Sequence, residues 1–334
     1  MFIFDNKTNI FVKANGLTFN SNYFCDFSPY FKNREFLDME AIQLGGDYFQ
    51  GYISNLITEP VMLQLSQRNC LTKLEGVISP KTWFFAIPVQ SNRVFFQNLY
   101  QLENNYIGIV PPKAEFSVVQ TAFSNRFQLY VDEDYLEQLC QTLDLLAAKK
   151  FLNPSESSMV ICSPEKIRHL QQSCQKLYQM VFDLDRQQVT FQRKALILNF
   201  IKQELKEELV KKFILALAEA KDIKPKKNTI RRTSILKQAE EMMRNSLYFE
   251  LTISDICQEL GVSQRTLEYI FKDFYQISPK NYFKKLRLNA LHQCLNRNPE
   301  PPLIYEIAEK LGFSHRGQLA HDYFQLFGSL PSKT

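Results

Sequence analysis

Histidine is the most informative scarcity in this 334-residue chain: only four occur, at 169, 292, 315 and 321. A metal site before His169 would have to rely on carboxylates and scattered thiols, and a histidine-based nucleophile–base pair is excluded there. Seven cysteines lie at 25, 70, 140, 162, 174, 257 and 294, with no Cys-x-x-Cys pair. An odd, dispersed set fits reduced cytoplasmic thiols better than a disulfide framework or a zinc site. No apolar run approaches the roughly 18 residues of a membrane span. The opening MFIFDNKTNI lacks the basic and apolar stretches of a secretory signal. These absences predict a cytoplasmic chain with no membrane segment, no metal and no cofactor. What is present is globular: 45% of residues are hydrophobic and 22% charged, enough for two or three packed domains.

The formal net charge of +5 is unevenly placed. Residues 225–334 hold 16 Lys and Arg against 11 Asp and Glu, so the whole excess lies in the last third. Such an end suits a nucleic acid. The stretch Lys224-Pro-Lys-Lys-Asn-Thr-Ile-Arg-Arg232 combines charge with proline and reads as a linker.

Residues 1–132 alternate as β-structure does. Val61, Leu63 and Leu65 interleave with Met62, Gln64 and Ser66; Phe127, Leu129 and Val131 interleave with Gln128 and Tyr130. Period-two runs of this kind predict half-buried strands of a barrel or sandwich. Phe84, Phe85, Phe95, Phe96, Tyr106, Phe116 and Phe127 are expected in its core, and such a barrel has room for one small ligand. Helical spacing begins after Asp132. A helix is predicted over Asp134–Lys149, another after Ser163-Pro164, and a long one from Arg186 carrying Leu198, Ile201, Leu205, Leu209, Phe213 and Leu217. Two destinations fit that last stripe, the β-domain or a dimer seam, and the stripe alone does not choose.

The tail is more specific. Ile253, Ile256, Cys257 and Leu260 form one face of a short helix capped by Thr252 or Ser254, and Gly261-Val262-Ser263 makes a turn. The next helix, capped by Ser263, buries Leu267, Ile270, Phe271 and Phe274. It leaves Gln264, Arg265, Thr266, Glu268, Tyr269 and Lys272 outward. This is a helix-turn-helix. About fifty residues on it recurs. Ile304–Leu311 is the first helix, Gly312-Phe313-Ser314 the turn, and Ser314–Phe327 the second helix, with His315, Arg316, Gly317, Gln318 and His321 outward. Between the units, Pro279–Asn296 is a basic helix with Lys280, Lys284, Lys285 and Arg287.

Residues Ile235–Thr334 resemble the DNA-binding domain of the AraC/XylS family of bacterial transcription regulators. The resemblance rests on Ile256…Leu260-Gly261-Val262-Ser263…Leu267…Phe271, on Ser278-Pro279…Tyr282…Leu286-Arg287, and on Ile307-Ala308…Gly312-Phe313-Ser314…Tyr323…Phe327-Gly328…Pro331. It implies an α+β chain: a β-rich, cupin-like barrel or sandwich over 1–132, a helical linker and dimerisation region over 133–224, and an all-α double helix-turn-helix domain over 225–334. Carried over by position, the base readers are Arg265, Glu268 and Tyr269, then Arg316, Gly317 and His321. Gln264, His315 and Gln318 join them on chemical grounds, whereas Gly317 has no side chain to read with. Arg265 and Arg316 suit guanine, Glu268 suits cytosine, and Lys272, Lys284 and Lys285 suit phosphates. The expected partners are double-stranded DNA at the nucleoid, a small organic effector, RNA polymerase and a second copy of the chain, with activation favoured over repression. An alternative is an N-terminal domain that serves only oligomerisation or a protein partner. An enzyme is not expected; the catalytic rival, a DNA-repair transferase using Cys25 or Cys70, lacks both the metal spacing and a base.

Overall fold

The computed structural model describes residues 10–31, 36–45, 48–89, 94–96, 100–102, 105–143, 152, 156–186, 190–222, 227–297 and 304–334. The chain folds in the order β1 (Ile10–Ala14), β2 (Leu17–Phe24), α1 (Phe27–Phe31), β3 (Leu37–Gln43), β4 (Gly51–Thr58), β5 (Val61–Arg68), β6 (Thr72–Ile78) and β7 (Thr82–Pro88). Then come β8 (Val94–Phe96), β9 (Tyr100–Leu102), β10 (Tyr106–Val110), β11 (Glu115–Gln120), β12 (Ser124–Asp132), α2 (Glu133–Thr142) and β13 (Ser158–Ile161). The middle helices are α3 (Pro164–Arg186), α4 (Phe191–Gln203) and α5 (Val210–Ala218), the last two joined by a π-helical segment, Glu204–Leu209. After β14 (Lys221–Asp222) follow α6 (Lys227–Asn245), α7 (Ile253–Glu259), α8 (Gln264–Tyr275), α9 (Pro279–Arg297), α10 (Ile304–Lys310) and α11 (Arg316–Phe327).

The strands form two antiparallel sheets, β1-β2-β4-β5-β12-β7-β10-β13-β14 and β3-β6-β11-β8-β9. They face each other as a sandwich, with Leu74, Ile78, Tyr106, Val110, Phe116 and Val118 packed between them. The other face of the larger sheet, through Leu63, Leu65, Phe85, Phe127 and Leu129, packs on α3, α4 and α5. Every residue of the predicted stripe, from Leu198 to Leu217, is buried in that contact. The stripe therefore serves the β-domain. The π-segment adds a residue to the turn and keeps Leu205 and Leu209 on the buried face.

Four readings of the sequence need correction. The strand alternation is not half-buried: all of β5 is buried, including Gln64 and Ser66. Helices cover the apolar face and the second sheet covers the polar one, so the polar positions point into the sandwich. The long helix does not begin at Arg186, where α3 ends; it begins at Phe191, capped by the Thr190 side chain accepting from the Arg193 N–H. Residues 227–232 are helix rather than linker. Arg232 there pairs with Asp273 at 2.6 Å and lies 4.9 Å from the Tyr269 ring centroid. The second recognition helix opens at Arg316, its cap position His315 making no side-chain hydrogen bond. The predicted helical residues 144–149, the linker residues 224–226 and the side chains of Phe95 and Phe96 lie outside the described residues.

The smaller sheet also carries the C-terminal helices. Its outer face supplies Ile42 and Val119, with Leu44 just beyond β3, to the core built by Leu236, Met243, Leu267, Phe271 and Tyr282. Polar contacts surround this seam. Lys73 on β6 pairs with Glu240 on α6 at 2.8 Å and with Glu75 at 2.9 Å. Glu240 also accepts from the hydroxyls of Tyr275 and Tyr282. Arg244 reaches Glu40 at 3.0 Å and Glu75. Burial alone would raise the Glu75 carboxyl pKa; Lys73 and Arg244 overcome this and hold it below the usual range. Because Lys73 is only 2% exposed, removing Glu240 leaves a buried ammonium short of one acid partner. Glu240→Ala is expected to lower stability by about 3–5 kcal/mol, the cost of breaking a buried ion pair by deleting one member. Urea unfolding checks this, and a loss near zero would mean that water re-solvates the seam.

Candidate nucleic-acid interface

The first helix-turn-helix is built from local chemistry. Thr252 caps α7 in a reciprocal capping box: its hydroxyl accepts from the Asp255 N–H at 3.2 Å, and Asp255 accepts from the Thr252 N–H at 2.8 Å. The turn passes through Gly261 at φ +59°, the left-handed region that favours glycine. Ser263 then caps α8, its hydroxyl accepting from the Thr266 N–H at 3.1 Å. Helix α8 buries Leu267, Ile270, Phe271, Phe274 and Tyr275. It ends at Gln276, which takes φ +58° without being glycine. Gln264, Arg265, Tyr269 and Lys272 are exposed, and Glu268 is half-buried with an acceptor 3.4 Å from the Gln264 amide.

The second unit repeats the plan with α10, a turn through Gly312 at φ +79°, and α11. Leu319, Tyr323, Leu326 and Phe327 are its buried face. His315, Arg316, Gln318 and His321 are exposed, and the space around Gly317 is open. The Arg316 guanidinium lies over the ring of Tyr305 on α10, 4.1 Å from its centroid, a cation–π contact that helps hold it.

Helix α9 fixes the two units together by packing into both cores. Tyr282, Phe283 and Leu286 enter the core of the first unit; Leu288, Leu291 and Leu295 enter that of the second. A groove of about 600 Å³ opens between the units, lined by Gln264, Lys280, Lys284, Arg287, His315 and Gln318 among others. Sequence pattern had placed these residues on separate helices; the fold brings them together. Lys284 is tied to Asp322 on α11 at 2.9 Å. Lys285 points elsewhere. It donates to the Leu44 carbonyl, and burial together with Lys284 lowers its pKa. In this arrangement Lys285 belongs to the seam with the smaller sheet, and Lys280, which is exposed, takes its place on the groove.

That seam is what sequence reasoning missed. Asn289 on α9 accepts from the Gln43 backbone N–H at 3.0 Å and donates to its carbonyl at 2.9 Å. The Gln43 side chain donates to the Leu326 carbonyl at 2.6 Å. His292 sits between the Ser28 hydroxyl at 2.9 Å and the Tyr323 hydroxyl at 2.6 Å. One signal was available: Glu240 occupies an otherwise apolar stripe formed by Leu236, Ala239 and Met243. The seam leaves the recognition surface open, because the outward residues of α8 and α11 stay exposed beside it. Cys70 is unsuited to the rival thiol chemistry, since burial pushes its pKa up to about 12, away from a reactive thiolate.

A family model described as a helix-turn-helix domain matches residues 256–334. The chain is 31% identical over 96 residues to the XylDLEGF operon transcriptional activator of Pseudomonas putida, a match that covers 28% of this chain and 30% of that protein. It is 30% identical to a probable AraC family transcriptional regulator from Rhodopseudomonas palustris CGA009. That likeness covers 30% of this chain and 94% of the other, with a TM-score of 0.29. Over 87% of its length, at 12% identity and a TM-score of 0.40, it is similar to the AraC-like transcriptional activator CuxR, of which it covers 99%.

The two turn glycines differ in what a side chain would meet. A Cβ at Gly261 has nothing within 4 Å, whereas one at Gly312 would lie 2.8 Å from Nη1 of Arg287. Both substitutions carry left-handed strain, of order 1–3 kcal/mol, and only the second adds a clash. Gly312→Ala is therefore expected to lower the unfolding midpoint more than Gly261→Ala. Thermal unfolding of the pair measures it, and equal losses would show that Arg287 simply moves aside.

Proposed function

The chain belongs to the AraC/XylS family of transcription regulators, and from that premise we propose that it reads a specific DNA sequence with both helix-turn-helix units. The observation that carries the reading is the pair of recognition helices held by α9 with their polar faces open. Two units on one rigid helix suit successive major grooves about one DNA turn, roughly 34–36 Å, apart. Arg265 and Arg316 are the readers of guanine, and Gln264, Glu268, Tyr269, His315, Gln318 and His321 complete the base-facing set. Lys272, Lys280 and Lys284 hold phosphates.

The N-terminal sandwich is the sensor of a small organic effector. Its support is the seam, which places the smaller sheet against both recognition units. The family resemblance supports a cytoplasmic homodimer that contacts RNA polymerase and activates transcription.

Selection of binding sites from a random DNA pool with the full chain tests the reading. Arg316→Ala should cost about 1–3 kcal/mol on the selected site and relax choice at one or two base pairs. Lys272→Ala, at an exposed residue in no ion pair among the described residues, should weaken all sequences alike and reduce the log–log salt slope by about 0.9. If Arg316→Ala recovers the wild-type site unchanged, Arg316 is not a reader.

A further inference from the structure

The polar members of the strand alternation face the interior of the sandwich, where charge is least tolerated. Arg68 on β5 is 3% exposed and Arg126 on β12 is 5% exposed. The Arg68 Nε donates to the Thr72 hydroxyl at 2.9 Å, but its Nη2 has no acceptor, and neither has Nη2 of Arg126. Close by, the Tyr106 hydroxyl and the Oε1 atoms of Gln120 and Gln128 are also buried without partners. All five side chains line one enclosed cavity of about 30 Å³, together with mainly apolar neighbours. Among the described residues no Asp or Glu lines it.

A guanidinium does not escape this burial by losing its proton, because it remains charged at any ordinary pH. Burial lowers both guanidinium pKa values, and the titratable groups beside them are tyrosine hydroxyls, a cysteine thiol and the other arginine, not an acid. Two like charges lining one buried cavity call for an anion. The two unmatched Nη2 groups, one from each arginine, fit the two oxygens of a carboxylate, and the apolar remainder of the wall fits a hydrocarbon body. The void holds an acid group only. A longer body would displace Met39 and Met159, which line the same cavity and are flexible enough to give way.

We propose that the interior of the sandwich is a binding site for a small organic monocarboxylate, with Arg68 and Arg126 pairing its acid group and Tyr106, Gln120 and Gln128 completing the polar end. The proposal rests on the sensor reading and names the effector's class.

The test uses the full chain and a fixed panel: benzoate, butyrate, the matched amides benzamide and butyramide, inorganic phosphate and chloride. Thermal unfolding and calorimetric titration should show saturable binding of a carboxylate at millimolar concentration or tighter, and none of its amide. Arg126→Met should unfold no lower than wild type without ligand, because it removes an uncompensated buried charge. It should also weaken carboxylate binding by about 10- to 100-fold. Equal responses to phosphate, chloride and carboxylates would overturn the organic class. So would no response to any of the panel, or an Arg126→Met chain that unfolds far below wild type, since the arginine would then be structural. DNA affinity of the same samples separates the two readings. Carboxylate binding that leaves DNA affinity unchanged sustains the site and overturns the sensor, whereas failure to bind carboxylate with intact DNA binding overturns the site alone.

Discussion

The arrangement of the whole chain hangs on one buried carboxylate. Glu240 on α6 accepts from Lys73 on β6, from Tyr275 at the end of the first recognition helix and from Tyr282 on α9. Four elements from two domains thus share one acceptor. Burial and the Glu240 charge push both tyrosine pKa values well above the ordinary value, so each hydroxyl stays protonated and can only donate here. A carboxylate with three donors is compensated; with any donor removed it is a buried charge seeking another. The contact is therefore strong when complete and expensive when incomplete, which favours a single orientation of the first unit on the sheet.

Helix α9 extends that constraint to the second unit. Its apolar residues are divided between two cores, so it cannot rotate to improve one without spoiling the other. Two of its polar positions, Asn289 and His292, are taken by β3 and α1. A helix whose apolar residues are divided between two cores has no single apolar face, and its pattern in sequence is correspondingly blurred. Rigidity of this kind is what two-groove reading requires, since the spacing of the recognition helices must match that of the DNA.

Local features were legible in the sequence and distant ones were not. The helix-turn-helix units could be read because their signals lie within a few residues: caps at Thr252 and Ser263, glycines at 261 and 312, and apolar residues at i, i+3, i+4 and i+7. The seam joins residues such as Gln43 and Asn289, 246 positions apart, and nothing in either neighbourhood announces the other. The alternation in β5 and β12 was read correctly as strand and wrongly as half-exposed. Period two tells which residues share a face, but not whether water or a second sheet lies beyond it. Charge misled at Arg232, whose partners Asp273 and Tyr269 lie on another helix.

The polar interior and the seam are two sides of the same thin layer. Thr72, which accepts from Arg68 within the sandwich, stands opposite Gln43 on one side and Gln120 on the other in the smaller sheet. Gln43 is in turn bonded to Asn289 and to the Leu326 carbonyl of the second recognition helix. The next residue of β6, Lys73, faces outward to Glu240. An event inside the sandwich and the hold on both DNA-reading units are therefore separated by one strand. Proximity alone does not make a switch: a ligand alters DNA affinity only by as much as it favours one arrangement of the seam over another. The seam has the character such a mechanism needs. Its apolar contacts through Ile42, Leu44 and Val119 are ringed by polar ones that depend on each other, so a ligand that loosened one would loosen the rest, and the recognition faces would change chiefly in their relative placement.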